Sequence, residues 1–255
     1  MRLLWKGQIY SMEKLSNELE QRFRNLEENL KIIQSQIAQA AVKSGRDPRD
    51  ITLLAATKTV PVEVINHGIA LGIDHIGENK VQELCEKYDS YSLEHCELQF
   101  IGHLQTNKVK NIVGKIGMIQ SVGSVKLASE ISRLSLPRSL TTDVLIEVNI
   151  GSEANKSGVL PQDLFGILPE IAALPSVRVR GLMAIPPADA AESETMAYFS
   201  NMFKYFVDIK TKKIDNIHMD FLSMGMSSDY YQAILAGANM VRVGSALFGP
   251  RIYHS

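Results

Sequence analysis

Three short segments hold side chains that could act together. Lys58 follows the apolar run LLAAT. A lysine at such a strand end is desolvated, which lowers its pKa and frees the amine to form a Schiff base; the same position also lets the side chain snorkel to water. Far downstream, residues 223–229 read SMGMSSD directly before a helical pattern. There Gly225 permits a tight turn, Ser227 or Ser228 can cap the helix, and exposed backbone N–H groups attract an anion. Residues 241–245 read VRVGS, in which Gly244 lets backbone approach a ligand and Ser245 adds a hydroxyl and another N–H. Asn79 and His103 end two further apolar runs and can line the same region or hydrogen-bond within their loops.

The rest of the pattern says how these segments could meet. From Ser11 the apolar residues Leu15, Leu19, Phe23, Leu26, Leu30, Ile33, Ile37 and Ala41 recur every three or four positions, one face of a long helix over 12–43. Short apolar runs then alternate with amphipathic stretches. The runs fall at about 51–57, 74–77, 98–102, 118–121, 142–149, 177–184, 218–223 and 240–244. Strands alternating with helices require a parallel sheet with helices outside it. Eight such units predict a single α/β domain, a (β/α)8 barrel over 12–255 with residues 1–11 as a tail. The last strand is followed by too little chain for a closing helix, so the helix at 12–43 is expected to complete the ring. A doubly wound open sheet is disfavoured, because no Gly-x-Gly-x-x-Gly turn follows the first strand.

In a barrel the chemistry sits where strands run into loops, and the loops after strands 7 and 8 recur as a phosphate site. SMGMSSD and VRVGS occupy those two places. A lysine opposite a phosphate cradle suits either pyridoxal 5′-phosphate (PLP) held as an internal aldimine or a Schiff-base aldolase acting on a sugar phosphate. Arg242, two residues before Gly244, favours the first, since it could face a pyridine nitrogen. The loop containing Glu153, Asn155 and Lys156 suits solvation, and Met183, Met224 and Met226 suit packing. The sequence shows neither a zinc-type cluster nor a Gly-x-Ser-x-Gly elbow.

Composition narrows the partners. The 255 residues are 22% charged with a formal net charge of −1, without the basic excess of a nucleic-acid binder. No apolar run approaches the roughly 20 residues that span a bilayer. The start is too briefly apolar for a signal peptide, and Met12 is an alternative start. Two cysteines, Cys85 and Cys96, give no disulfide framework and suit reduced thiols in a cytoplasmic protein.

At the level of motifs, the sequence resembles the PLP homeostasis protein family, whose fold is similar to the barrel domain of alanine racemases. The resemblance runs from about Met12 through LLAATKTVP, IGENKVQE, FIGHLQTNK, VNIGSEANKSG, RGLMAIPP, LSMGMSSDY and MVRVGSALFG. It implies PLP as cofactor, with Lys58 as the aldimine lysine and Ser227, Gly244 and Ser245 at the phosphate. It further implies Arg242 at the pyridine nitrogen and Asn79 beside the ring. Lys80 stands where family members often carry an aromatic residue, and Ser245 where they often carry threonine. The implied role is intracellular homeostasis of the vitamin B6 cofactor without robust turnover, with PLP-dependent apoenzymes as partners and a monomer as a plausible state. A PLP-dependent amino-acid racemase is the alternative. Alanine racemases bring their second base from a separate C-terminal domain, and this chain ends eleven residues after Gly244, so a racemase of that build is not expected.

Overall fold

A computed structural model describes the backbone of residues 2–250 and the side chains of residues 17–250. Its centre is a closed barrel of eight strands in sequence order. They are β1 (Thr52–Ala56), β2 (His75–Glu78), β3 (Glu97–Phe100), β4 (Met118–Val122), β5 (Thr142–Val148), β6 (Val177–Ala184), β7 (Ile217–Ser223) and β8 (Met240–Val243). Neighbours pair in parallel, and β1 closes on β8 with Leu54 opposite Arg242 and Ala55 opposite Val243. Every apolar run of the sequence thus became a strand. Strands in a barrel are buried on both faces, so they read as continuous apolar runs rather than alternating ones. All seven residues of β5 are buried, for example.

The two faces do different work. Leu54, Ala56, Ile101 and Met240 fill one part of the barrel, and Met118, Leu145 and Met183 another. Their neighbours Ala55, Val144, Ile146, Val241 and Val243 point outward into the larger core beneath the helices. At β6 the pairing with both neighbours shifts register around Gly181. A Cβ there would lie 1.8 Å from the Phe221 carbonyl oxygen, and φ is +148°, so glycine alone permits this close approach. At the strand starts, the Asp143 carboxylate takes Arg178 at 2.7 Å and Arg180 at 2.6 Å, and Arg180 reaches Asp220 at 2.6 Å. That network ties β5, β6 and β7 together on the face opposite the loops.

Seven helices follow the strands less evenly. They are α2 (Val62–Ala70), α3 (Val81–Lys87), α4 (Val125–Ser135), α5 (Leu164–Ala172), α6 (Glu192–Lys212), α7 (Tyr230–Leu235) and the single turn α8 (Ser245–Phe248). Between β3 and β4, where the alternation called for a helix, the chain forms a 3-10 helix over Thr106–Asn111. The first helix, α1, runs Arg2–Lys43 without a break at residue 12, so the segment read as a tail continues the helix. Met12 and Leu15 lie outside the described side chains.

Because α8 is one turn long, β8 lacks a full covering helix, and α1 lies there instead, against α7, α8 and α2. Leu26, Leu30, Ile33, Ile37 and Ala41 are buried on its inner stripe, as the periodicity requires. Asn29 Nδ2 donates to the Leu247 carbonyl at 3.0 Å. Just past the helix, Arg46 donates to the carbonyls of Ala238 at 2.8 Å and Gly237 at 3.3 Å, and to that of Ile234. If α1 is integral to the ring, Leu26→Ala should cost about 2–5 kcal/mol, read as a lowered urea midpoint at unchanged slope. A loss well under 1 kcal/mol would show that the barrel closes without it.

Candidate functional site

The ends of β7 and β8 form one polar surface. After β7 the chain turns through Gly225 at φ +90°, and the turn is closed by the Met226 N–H donating to Asp229 Oδ1 at 2.6 Å. Asp229 therefore takes the place at the start of α7 where Ser227 or Ser228 was expected to cap the helix. Freed from that task, Ser227 faces the β8–α8 turn. Its Oγ accepts the backbone N–H groups of Gly244 and Ala246, each at 3.1 Å. Ser245 lies between those two and is exposed. Ser227, Gly244 and Ser245, separate in sequence, are thus brought together.

The β8–α8 turn rests on the end of β1. A Cβ at Gly244 would lie 3.3 Å from the Ala56 carbonyl oxygen, so this approach is tight even for alanine. Lys58 emerges two residues beyond Ala56 and shares a pocket with Gly244 and Ser245. Its own turn is held from below. Thr57 Oγ1 donates to Glu78 Oε1 at 2.8 Å, and the Thr59 N–H donates to Glu83 Oε1 at 2.6 Å. Lys87 holds both acids, at 2.5 Å from Glu83 and 3.4 Å from Glu78. The Tyr91 hydroxyl donates to the same Glu78 oxygen at 2.7 Å, and burial next to that carboxylate pushes its pKa up. These contacts hold Thr59, a β-branched residue, at φ +60°, a conformation that costs energy outside glycine.

Arg242 points into the barrel mouth and is 4% exposed. Nη1 donates to Ser223 Oγ at 2.6 Å and Nη2 to the Ala184 carbonyl at 3.0 Å. Ser223 passes its own hydrogen to Gln120 Oε1 at 2.7 Å, and Gln120 Nε2 reaches Gln99 Oε1 at 2.5 Å. This chain crosses the interior from β3 to β8 and fixes the guanidinium. Burial lowers the Arg242 pKa to about 10, with Glu147 and Asp229 opposing the shift, so it stays charged near neutral pH.

The remaining candidates are more loosely tied. Asn79 is half-buried at the end of β2, where Gly102 leaves room for its backbone; a Cβ at Gly102 would lie 2.0 Å from the Asn79 carbonyl oxygen. His103 is exposed and lines a cavity at the mouth with Ser121, Glu147 and Ser157. Met183 and Met224 are buried as packing residues. Glu78, Glu83, Gln120 and Glu147 were not recognised from the sequence. For Glu78, Gln120 and Glu147 the only signal was a polar residue inside or just after an otherwise apolar run, and Glu83, within α3, had none. Among the described residues no group of three His, Cys, Asp or Glu side chains could hold a metal ion.

A parallel barrel with an amine, paired phosphate-type loops and a buried guanidinium at its mouth defines a class, and comparison with known proteins agrees. The model for the N-terminal domain of alanine racemase matches residues 23–251. A pyridoxal phosphate homeostasis protein from Aquifex aeolicus is 40% identical over 226 residues, covering 89% of this chain and 98% of that one. The protein of that name from Escherichia coli K12 is 37% identical, covering 88% and 96%. The chain belongs to the pyridoxal phosphate homeostasis protein family, within the alanine racemase N-terminal domain group. PipY of Synechococcus elongatus, solved with PLP bound, is 31% identical with a TM-score of 0.72, covering 84% of this chain and 100% of that one. An alanine racemase from Corynebacterium glutamicum, at 15% identity and TM-score 0.66, covers 91% of this chain and 62% of that one and shares the fold.

Glu147 supplies a test of the mouth's electrostatics. Burial pushes its carboxyl above the usual range, outweighing the lowering by the Ser157 hydroxyl, His103 and Arg242. The folded state then holds this proton more tightly than the unfolded chain. Its contribution to stability is full below the ordinary carboxylate pKa and is lost as pH rises through the folded value. Relative to Glu147→Gln, the wild type should lose stability as pH rises from about 4, the ordinary carboxylate pKa, followed by urea midpoints. A gap between the two proteins that does not change with pH would show that this carboxyl is not shifted.

Proposed function

We propose that the protein binds PLP at the barrel mouth and serves the intracellular homeostasis of the vitamin B6 cofactor, without robust catalytic turnover. The observation that carries this reading is the convergence of Lys58 with Ser227, Gly244 and Ser245, beside the buried Arg242. The donor set fits the cofactor. A phosphate dianion wants several N–H and O–H donors, and the β8–α8 turn offers two N–H groups that now share one serine oxygen, with the hydroxyls of Ser227 and Ser245 beside them. A Cβ at Gly244 would crowd Ala56 in the same cradle.

When bound, PLP supplies an aldehyde that condenses with a primary amine and a pyridine ring that can accept electrons. Lys58 provides the amine, and the Thr57–Glu78 and Thr59–Glu83 hydrogen bonds orient the turn that presents it. Asn79 lies at the mouth beside the place of the ring. Arg242 can only donate, being charged near neutral pH and acceptor-free, so a pyridine nitrogen facing it must accept and remain unprotonated. That weakens the ring as an electron sink and restrains carbanion chemistry on amino acids. PLP-dependent apoenzymes are the partners that such a holder would serve. The free thiols of Cys85 and Cys96 suit a reducing cytoplasm, and among the described residues no helix is long and apolar enough to cross a membrane.

Two measurements test this reading. The protein purified with PLP should be yellow, and borohydride should fix the cofactor to the peptide that contains Lys58, with none fixed in Lys58→Ala. Cofactor trapped on Lys80 or Lys108 instead would move the site. For the absence of turnover, the α-proton of L-alanine should exchange in heavy water no faster with the loaded protein than with free PLP, followed by NMR. Rapid exchange would replace this reading with a racemase.

A further inference from the structure

The pocket that joins Lys58 to Gly244 and Ser245 has one wall from outside the barrel. Arg22 of α1 lines it together with Thr59 and the Gly249 backbone beyond α8. Arg22 stands one turn before Leu26, at the edge of the apolar stripe of Leu19, Phe23, Leu26 and Leu30, and is half-buried. It also stands two turns before Asn29, which anchors the helix to α8 through the Leu247 carbonyl. The edge of the stripe therefore brings a guanidinium to the pocket. Arg24, by contrast, is exposed and pairs with Glu20 at 3.9 Å. Arg22 makes no ion pair among the described residues.

A guanidinium drawn partly out of water gains most from an anion, and its planar fork matches phosphate oxygens. The cradle on the far wall of the same pocket is built for such a group. We propose that Arg22 is a further cofactor-binding residue, through which α1 closes the phosphate side of the site. This rests on the reading of the β7 and β8 loops as the phosphate cradle. Arg22 lies one residue before the family match begins, so the family pattern does not supply this role.

The test compares PLP with pyridoxal, which lacks the phosphate, by absorbance titration of the full chain. Arg22→Gln should raise the Kd for PLP about tenfold and leave pyridoxal unchanged, while Arg24→Gln changes neither. Because binding of a dianion is salt-sensitive, added KCl should weaken PLP less in Arg22→Gln than in wild type. Arg22→Lys keeps charge and stem but loses the fork, so it should fall between wild type and Arg22→Gln for PLP alone. It answers the same question if the glutamine variant unfolds. Equal losses for PLP and pyridoxal would make Arg22 a packing residue and overturn the proposal, as would Arg22→Gln matching Arg24→Gln. A wild type that binds both ligands equally would overturn the cradle itself, and Arg22's role with it.

Discussion

The site exists because the first strand pairs with the last. With Ala55 opposite Val243, the chain leaves β1 at Ala56 directly beneath Gly244, and Lys58 comes out next to the β8–α8 turn. Nothing local in either segment enforces that meeting. It follows from eight parallel strands closing in order, which demands that each interface bury its apolar runs on both sides. The closing interface also has the thinnest cover, since α8 is a single turn. That is why α1, with its anchors at Asn29 and Arg46, bears on the site although it is not part of the barrel.

Within the mouth, the strongest constraint is the cost of burying Arg242. A lone guanidinium in a dry interior is strongly disfavoured, and the hydrogen bonds to Ser223 and Ala184 offset part of that cost. Ser223 accepts from Arg242 while its own hydrogen goes to Gln120, and the Gln120 amide is oriented with its oxygen toward Ser223 by the bond from its nitrogen to Gln99. Removing one member leaves its neighbour unpaired, so the chain acts as a unit. The polar interior near the mouth is thus what orients one charge, while the apolar layers supply the packing.

The strands could be read from the sequence because strands buried on both faces leave short, unbroken apolar runs. The helices were less legible. At α3 only Val81, Leu84 and Cys85 are apolar within Val81–Lys87, too short a stretch to display a period. At 107–113 the apolar spacing fits one helical turn, and the chain tightened into a 3-10 helix. Lys58, Ser227, Arg242, Gly244 and Ser245 could be picked out because each ends or follows a strand. Glu78, Gln99 and Gln120 could not, because their partners lie on other strands and no spacing in the sequence records a contact across a barrel. Arg22 was hidden for a different reason: a single arginine on an amphipathic helix looks like a solvated residue until the helix is docked.

Charge around the mouth is unevenly distributed. Lys58, Arg242 and the N–H groups of the β8–α8 turn lie on the side of β1 and β8, with Arg22 at its edge. Across the opening, Glu147 ends β5 as a buried carboxyl with Arg242 and His103 in its field. A phosphate placed on the β5 side would meet that carboxyl, whereas on the β8 side it would meet Lys58, the N–H groups of the β8–α8 turn and the hydroxyls of Ser227 and Ser245. Burial moderates the contrast, because raising the Glu147 pKa moves it toward the neutral form. The contrast therefore lies chiefly on the attractive side, where the Ser227 hydroxyl holds the backbone N–H groups of Gly244 and Ala246 together.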